Sequence, residues 1–158
     1  MCADRRIEQI GLENLQEAME LVKAVFMEFE APDYSEQGIQ EFLKFIDMER
    51  VRKQIETSLL TLWACFNGQR VIGVLGVEAR GHVCLLFVSG AFHRQGIAKA
   101  LLKQGLSIFR HKKIAQITVN SSPYAVKAYE RMGFVSAQPE QCINGIRFTP
   151  MTLGFEQP

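Results

Sequence analysis

From Leu15 to Phe29 the apolar residues fall at 15, 18, 19, 22, 25, 26 and 29. Steps of three and four give a helix one continuous apolar face, so this segment predicts an amphipathic helix. Asn14 stands where a side chain would cap it. Glu30-Ala31-Pro32-Asp33-Tyr34 breaks it, because proline has no N–H with which to continue the ladder. Ser35 then predicts the start of a second helix, which carries Ile39, Phe42, Leu43 and Ile46. The charged stretch 47–58 has a poor period and fits a mobile helix. The pattern next condenses into the dense apolar runs of strands, at 59–66, 70–79 and 82–88. Asn67-Gly68 is a strong hairpin signal between the first two runs, and Arg80-Gly81 turns the second into the third. Residues 5–10 predict a short strand ahead of the first helix.

The third run stops at Ser89-Gly90 and passes through a short basic turn, His93-Arg94-Gln95-Gly96. A helix over 95–110 follows, with Ile97, Leu101, Gly105 and Ile108 on one face and a solvated cationic end at Arg110–Lys113. A strand that turns directly into a helix leaves several backbone N–H groups unpaired and aimed one way. Together with the positive end of the helix dipole they suit a phosphate group. Residues 114–120 predict another strand. Ser122-Pro123 opens a further helix, serine as N-cap and proline at its first position, lined by Ala125, Ala128, Tyr129 and Met132 and closed by Gly133. Two strands near 134–138 and 146–154 flank the polar stretch 138–144. The order is mixed α/β: a three-strand meander, helix, strand, helix, strands.

Composition narrows what such a chain does. With 158 residues, 47% of them apolar and 22% charged, it predicts one globular domain over 1–158. A net charge of +1 lacks the footprint of a general nucleic-acid binder, so an anion must be held by a local arrangement. Cys2, Cys65, Cys84 and Cys142 show no ligand spacing, and Cys65 and Cys84 lie in strand runs, which predicts buried reduced thiols. No His/Cys/carboxylate cluster has metal spacing, so no metal is expected. The first ten residues have no apolar signal region and no segment reaches the length of a membrane span, which predicts a cytoplasmic protein without a membrane partner.

Two motifs together resemble those of the GNAT family of acyl-CoA-dependent N-acetyltransferases. The first, (Arg/Gln)-x-x-Gly-x-(Gly/Ala) opening a helix, reads His93-Arg94-Gln95-Gly96-Ile97-Ala98 here. The second runs from Val119 to Phe134: a strand, a turn and a helix that carries Tyr129 shortly before Gly133-Phe134. Its V-N-x-S-P-Y-A-V block looks like that of a small bacterial-type branch. The resemblance covers residues 60–135 well and the N-terminal helices, where the family places substrate specificity, only in outline.

The resemblance implies a GNAT fold, a twisted mixed sheet of about seven strands with helices on both faces. It implies acetyl-CoA as co-substrate, with the pyrophosphate of coenzyme A gripped by the turn: Arg94, Gln95, Gly96, Ile97, Ala98 and Lys99. His93 departs from the family's arginine or glutamine, which leaves its own phosphate contact open. The main chain of Leu86, Phe87 and Val88 is expected to pair with the pantetheine arm where their strand splays from 114–120, with Asn120 and Ser122 beside it. Tyr129 is expected to be the general acid that protonates the departing thiolate. The implied reaction is direct attack of a primary amine in a ternary complex, with no covalent cysteine intermediate.

The general base follows less directly. Glu78 shares a strand face with Ile72, Val74 and Gly76, so apolar surroundings would raise its pKa toward useful basicity. Glu28, Glu30 and Asp33 form a second acidic group, either attracting a cationic amine or merely ending a helix. His82, at the hairpin turn, is expected at the surface. Two other classes stay open: a non-catalytic acyl-CoA-binding regulatory module, and a nucleotide-binding domain using Gly96, though the further glycines of such fingerprints are missing. The amine (small molecule or peptide) is unspecified, and a homodimer is one of the oligomeric states left open.

Overall fold

Tight turns at Asn67-Gly68 and Arg80-Gly81 require three antiparallel neighbours. A computed structural model, which describes residues 4–154, contains them as β2 (Leu60–Asn67), β3 (Arg70–Glu78) and β4 (His82–Val88). β1 (Arg5–Ile10) pairs antiparallel with β2 at one edge. On the other side β4 runs parallel to β5 (Gln116–Ser121), and β5 pairs antiparallel with β8 (Ile146–Gly154). β6 (Val135–Ser136) and β7 (Gln141–Ile143) both pair with β8, giving eight strands in the order β1-β2-β3-β4-β5-β8-β6 with β7 off that path. The mixed sheet is the one expected, with one strand more. β7 occupies the polar stretch expected to be loop, and Asn144-Gly145 turns it back into β8.

Helices α1 (Leu15–Val25), α2 (Glu36–Phe45) and α3 (Met48–Glu56) cover one face. Leu15, Val22 and Phe26 there join Val74, Leu85 and Phe87 of the sheet in one core cluster. Helices α4 (Ile97–Leu106) and α5 (Val126–Arg131) cover the other, where Leu101, Phe109 and Phe134 join Ile72, Leu75 and Ile117. Each fully buried side chain of this size is worth about 1.5–3 kcal/mol.

The helix ends differ from the simplest expectations for local reasons. A 3₁₀ turn over Leu12–Asn14 precedes α1, so the Asn14 side chain makes no capping bond. The first helix stops being α-helical at Val25 and continues as a π-helical turn over Phe26–Glu30. Ser35 and Asp47 do cap, accepting from the amides of Gly38 and Arg50 at 3.2 Å each, and the charged stretch 47–58 contains the capped helix α3. α4 begins at Ile97 with Gly96 as its N-cap. It tightens after Leu106 into a 3₁₀ turn that buries Phe109 and leaves Ile108 37% exposed, since three residues per turn shift the inward face. In the short α5 Tyr129 is buried while Ala128 is exposed.

Gly38 of α2 lies against the β7–β8 turn. A Cβ there would stand 2.1 Å from the carbonyl oxygen of Gly145, a backbone atom with no freedom to swing aside. Gly38→Ala is therefore expected to destabilise by about 1–3 kcal/mol through overpacking, although alanine is the better helix former by about 1 kcal/mol. Chemical denaturation of the two proteins measures this; equal or greater stability of the variant contradicts the packing described.

Candidate active site

The site begins where two strands part. β4 and β5 are in register only at His82/Thr118 and Val83/Val119, yet β4 runs on to Val88 and β5 to Ser121. The Ser89 amide donates to the Ile72 carbonyl at 2.9 Å. Antiparallel alternation then turns the N–H and C=O of Val88, and of Leu86 two residues earlier, away from β3 and toward the gap. Phe87 between them buries its ring in the core below α1 and α2. His93 Nε2 lies 2.7 Å from the Val88 carbonyl and its ring packs 4.7 Å from that of Phe29. The irregular residue of the first motif thus secures a strand end.

The turn after β4 is strained. Arg94 has φ +63° and Gly96 φ +79°, both left-handed, before α4 starts. For arginine this conformation costs of the order of 1 kcal/mol. Such alternation of left- and right-handed residues gathers successive N–H groups into a concave, anion-binding backbone. A Cβ on Gly96 would find nothing within 4 Å, so open space lies before the turn and glycine is required by φ alone. Arg94, Gln95 and Lys99 are exposed, Ala98 is half-buried, and Ile97 turns its side chain into the core. The Arg5 guanidinium donates to the Gln95 side chain and lies 5.4 Å above the Phe92 ring.

Beside the parted strands lies a cavity of about 640 Å³, walled by Glu30, Tyr34, Cys84, Phe87, Asn120 and Tyr129 among others. Tyr129 is brought here by α5 and held edge-on to Phe134, with ring centroids 5.2 Å apart. Burial, followed by the nearby charges of Glu30 and Cys84, holds its phenol well above the usual range. Ser122 caps the turn before α5, accepting from the Ala125 amide at 3.3 Å, and its hydroxyl also faces the Glu30 carboxyl. Asn120 is exposed on the cavity wall.

Glu30 is what sequence reasoning placed only within an acidic group. The π-helical turn ends on it, separating it from Phe29, whose ring goes instead to His93 and Tyr124. Burial pushes the Glu30 carboxyl up to about 7, with Asp33 adding to the effect and Ser122 opposing it. The available signal was its position: four residues after Phe26, on the apolar face of the predicted helix.

Glu78 also reaches the cavity, at the end of β3, but in an ion pair with Arg80 at 2.9 Å. Its expected strand face is corrected. The β2–β3 register slips between Cys65 and Phe66, so Ile72 joins the α4–α5 core while Val74 joins the opposite one. His82 is corrected too: it is 8% exposed, with Nδ1 2.8 Å from Thr118 Oγ1, and burial followed by the Arg80 charge lowers its pKa. Burial and the Glu78 charge push the Cys84 thiol up to about 12, which disfavours a nucleophilic thiolate. Cys65 is buried, Cys142 is exposed, and Cys2 lies outside the described residues. Among the described residues no group of three or more His, Cys, Asp or Glu is placed to hold a metal, and no helix is long and apolar enough to cross a membrane.

The fold has counterparts among known proteins. Residues 30–155 match the acetyltransferase (GNAT) domain family. The PaiA N-acetyltransferase of Thermoplasma acidophilum, solved in complex with coenzyme A, is 18% identical with a TM-score of 0.79 over 96% of this chain and 99% of that one. A GCN5-related N-acetyltransferase from Rhodopseudomonas palustris is 17% identical with a TM-score of 0.81, covering 95% of each chain. A GNAT acetyltransferase from Staphylococcus aureus Mu50 is 14% identical with a TM-score of 0.72, over 96% of this chain and 99% of that one. No curated protein sequence gives a significant match. The chain belongs to the GNAT acetyltransferase family and is an acyltransferase by class.

The half-buried Glu30 carboxyl has a measurable consequence for stability. A folded-state pKa raised from 4.5 to about 7 stabilises the fold below pH 4.5, an effect lost as pH rises through 7. Glu30→Gln removes this dependence. At pH 8 it is expected to be more stable than wild type by of the order of 2–3 kcal/mol, and near pH 4 little different. Denaturation midpoints at the two pH values measure it; a variant less stable at pH 8 contradicts the placement of Glu30.

Proposed function

We propose that the protein transfers the acetyl group of acetyl-CoA to a primary amine by direct attack in a ternary complex. The observation that carries this is one cavity containing a buried tyrosine and a half-buried carboxyl, reached from a strand edge with unpaired backbone groups. The residues fit coenzyme A. Leu86 and the Val88 amide turn main-chain groups to the gap for the pantetheine amides, with Asn120 and Ser122 on the cavity wall, whereas the Phe87 main chain expected to join them is paired with Val74 of β3. Arg94, Gln95, Gly96, Ile97, Ala98 and Lys99 offer N–H groups and positive charge around open space for the pyrophosphate. Acetyl-CoA supplies the acetyl group in activated form, as a thioester.

Glu30 serves as the base. Its carboxylate takes a proton from the substrate ammonium, leaving a neutral amine able to attack, and a pKa near 7 matches that task. Glu78 is less suited, because Arg80 occupies its carboxylate. Tyr129, held protonated, gives its proton to the sulfur as the carbon–sulfur bond breaks and regains one from the attacking nitrogen, which sheds a proton as the amide carbon–nitrogen bond forms. The Val119–Val126 block supports placement in the small bacterial-type branch named above.

Release of free thiol from acetyl-CoA across a panel of amines tests the activity. Tyr129→Phe is expected to lower kcat by about 10²–10⁴ with coenzyme A affinity retained. In wild type kcat/KM should rise with pH through about 7, and Glu30→Gln should abolish that limb. Rates unchanged in Tyr129→Phe contradict the acid assignment. Coenzyme A binding without turnover of any amine favours a regulatory acyl-CoA-binding module instead.

A further inference from the structure

Six charged side chains line the cavity: Glu30, Glu41, Lys44, Arg50, Glu78 and Arg80. Four of them cancel locally, Lys44 with Glu41 at 3.8 Å and Arg80 with Glu78 at 2.9 Å. Among the described residues, neither the Glu30 carboxyl nor the Arg50 guanidinium has an ion-pair partner. One carboxyl and one guanidinium are left facing the same space.

Their arrangement is fixed by different elements. Glu30 ends the π-helical turn and its charge acts on Tyr129. Arg50 stands in the first turn of α3, anchored through its amide to the Asp47 cap, with its guanidinium 5.2 Å above the Phe45 ring. Stacking on an aromatic face holds the planar fork and leaves its N–H edge free for a carboxylate. Cys84 lines the same cavity, within electrostatic reach of Arg50, Arg80 and Glu78 and also of Tyr129. Glu30, Tyr129 and the exposed Arg50 thus line one cavity of about 640 Å³, room for a small substrate, with Phe42, Phe45 and Phe148 on the walls.

We propose that the acceptor is a zwitterion of the amino-acid type, its amine placed at Glu30 and Tyr129 and its carboxylate at Arg50. This rests on the acetyl-transfer reading above. Phe42, Phe45 and Phe148 suit an apolar side chain on that acceptor. A polyamine fits poorly, because its second cation would meet the Arg50 guanidinium.

The test compares each amino acid with its decarboxylated form, phenylalanine with phenethylamine and leucine with isoamylamine, by thiol release from acetyl-CoA. Wild type is expected to favour the amino acid at least tenfold in kcat/KM. Loss of a charge-assisted pair of this kind is worth about 10- to 100-fold, so Arg50→Ala should raise KM for the amino acid by that factor and bring the acid-to-amine ratio near one. Arg50→Lys, which keeps the charge, should give an intermediate ratio and guards against a folding artefact. A wild type that uses phenethylamine as well as phenylalanine, or an Arg50→Ala ratio equal to that of wild type, overturns the proposal. Calorimetry of N-acetylphenylalanine and N-acetylphenethylamine on the coenzyme A complex needs no turnover. Tighter binding of the acid, lost in Arg50→Ala, upholds the carboxylate site even if acetyl transfer itself fails. Equal binding of the two overturns the site even if transfer occurs.

Discussion

A strand's N–H and C=O groups must find partners, and on this constraint the site depends. Within a sheet the neighbouring strand supplies them; leaving a buried one unpaired costs about 1–3 kcal/mol. β4 and β5 leave each other after two paired positions, which strips the end of β4 on one side. His93 meets part of the demand by bonding the Val88 carbonyl. The remaining groups face a gap beside a left-handed turn and a helix start, an arrangement suited to a long ligand with amides along one part and phosphates at the next.

The chemistry depends on a second consequence of burial. The same apolar surroundings act on an acid and a phenol with different ordinary pKa values and keep them well separated. Glu30 is moved to about 7, while Tyr129 is driven further from ionisation, in part by the Glu30 charge itself. Two titratable groups held apart in this way suit opposite proton-transfer roles in one cavity. The π-helical turn enables this by giving Phe29 and Glu30 different directions, one to the His93–Tyr124 stack and one to the cavity.

Much of this was legible in the chain. Asn67-Gly68 and Arg80-Gly81 set the meander, and the apolar stripe of 15–26 set which side of α1 is buried. Ser122-Pro123 located the start of the last helical segment, which puts Tyr129 on the cavity wall. What was not legible came from irregularities with no fixed local signature. A register slip moved Ile72 to the other core, pairing with Thr118 drew His82 inside, and the π-helical turn brought Glu30 into the cavity. Periodicity assumes a constant repeat along an element, and each of these breaks it. The salt bridge between Glu78 and Arg80 is likewise a tertiary choice that neither residue type nor spacing dictates.

Amide hydrogen exchange with and without coenzyme A bears most directly on the parted strands as the cofactor slot. Saturating coenzyme A is expected to slow exchange at Leu86, at Val88 and across Gly96–Lys99, with little change along β2. Binding that leaves those amides exchanging as before, or protects only the distant edge at β1, would contradict the account.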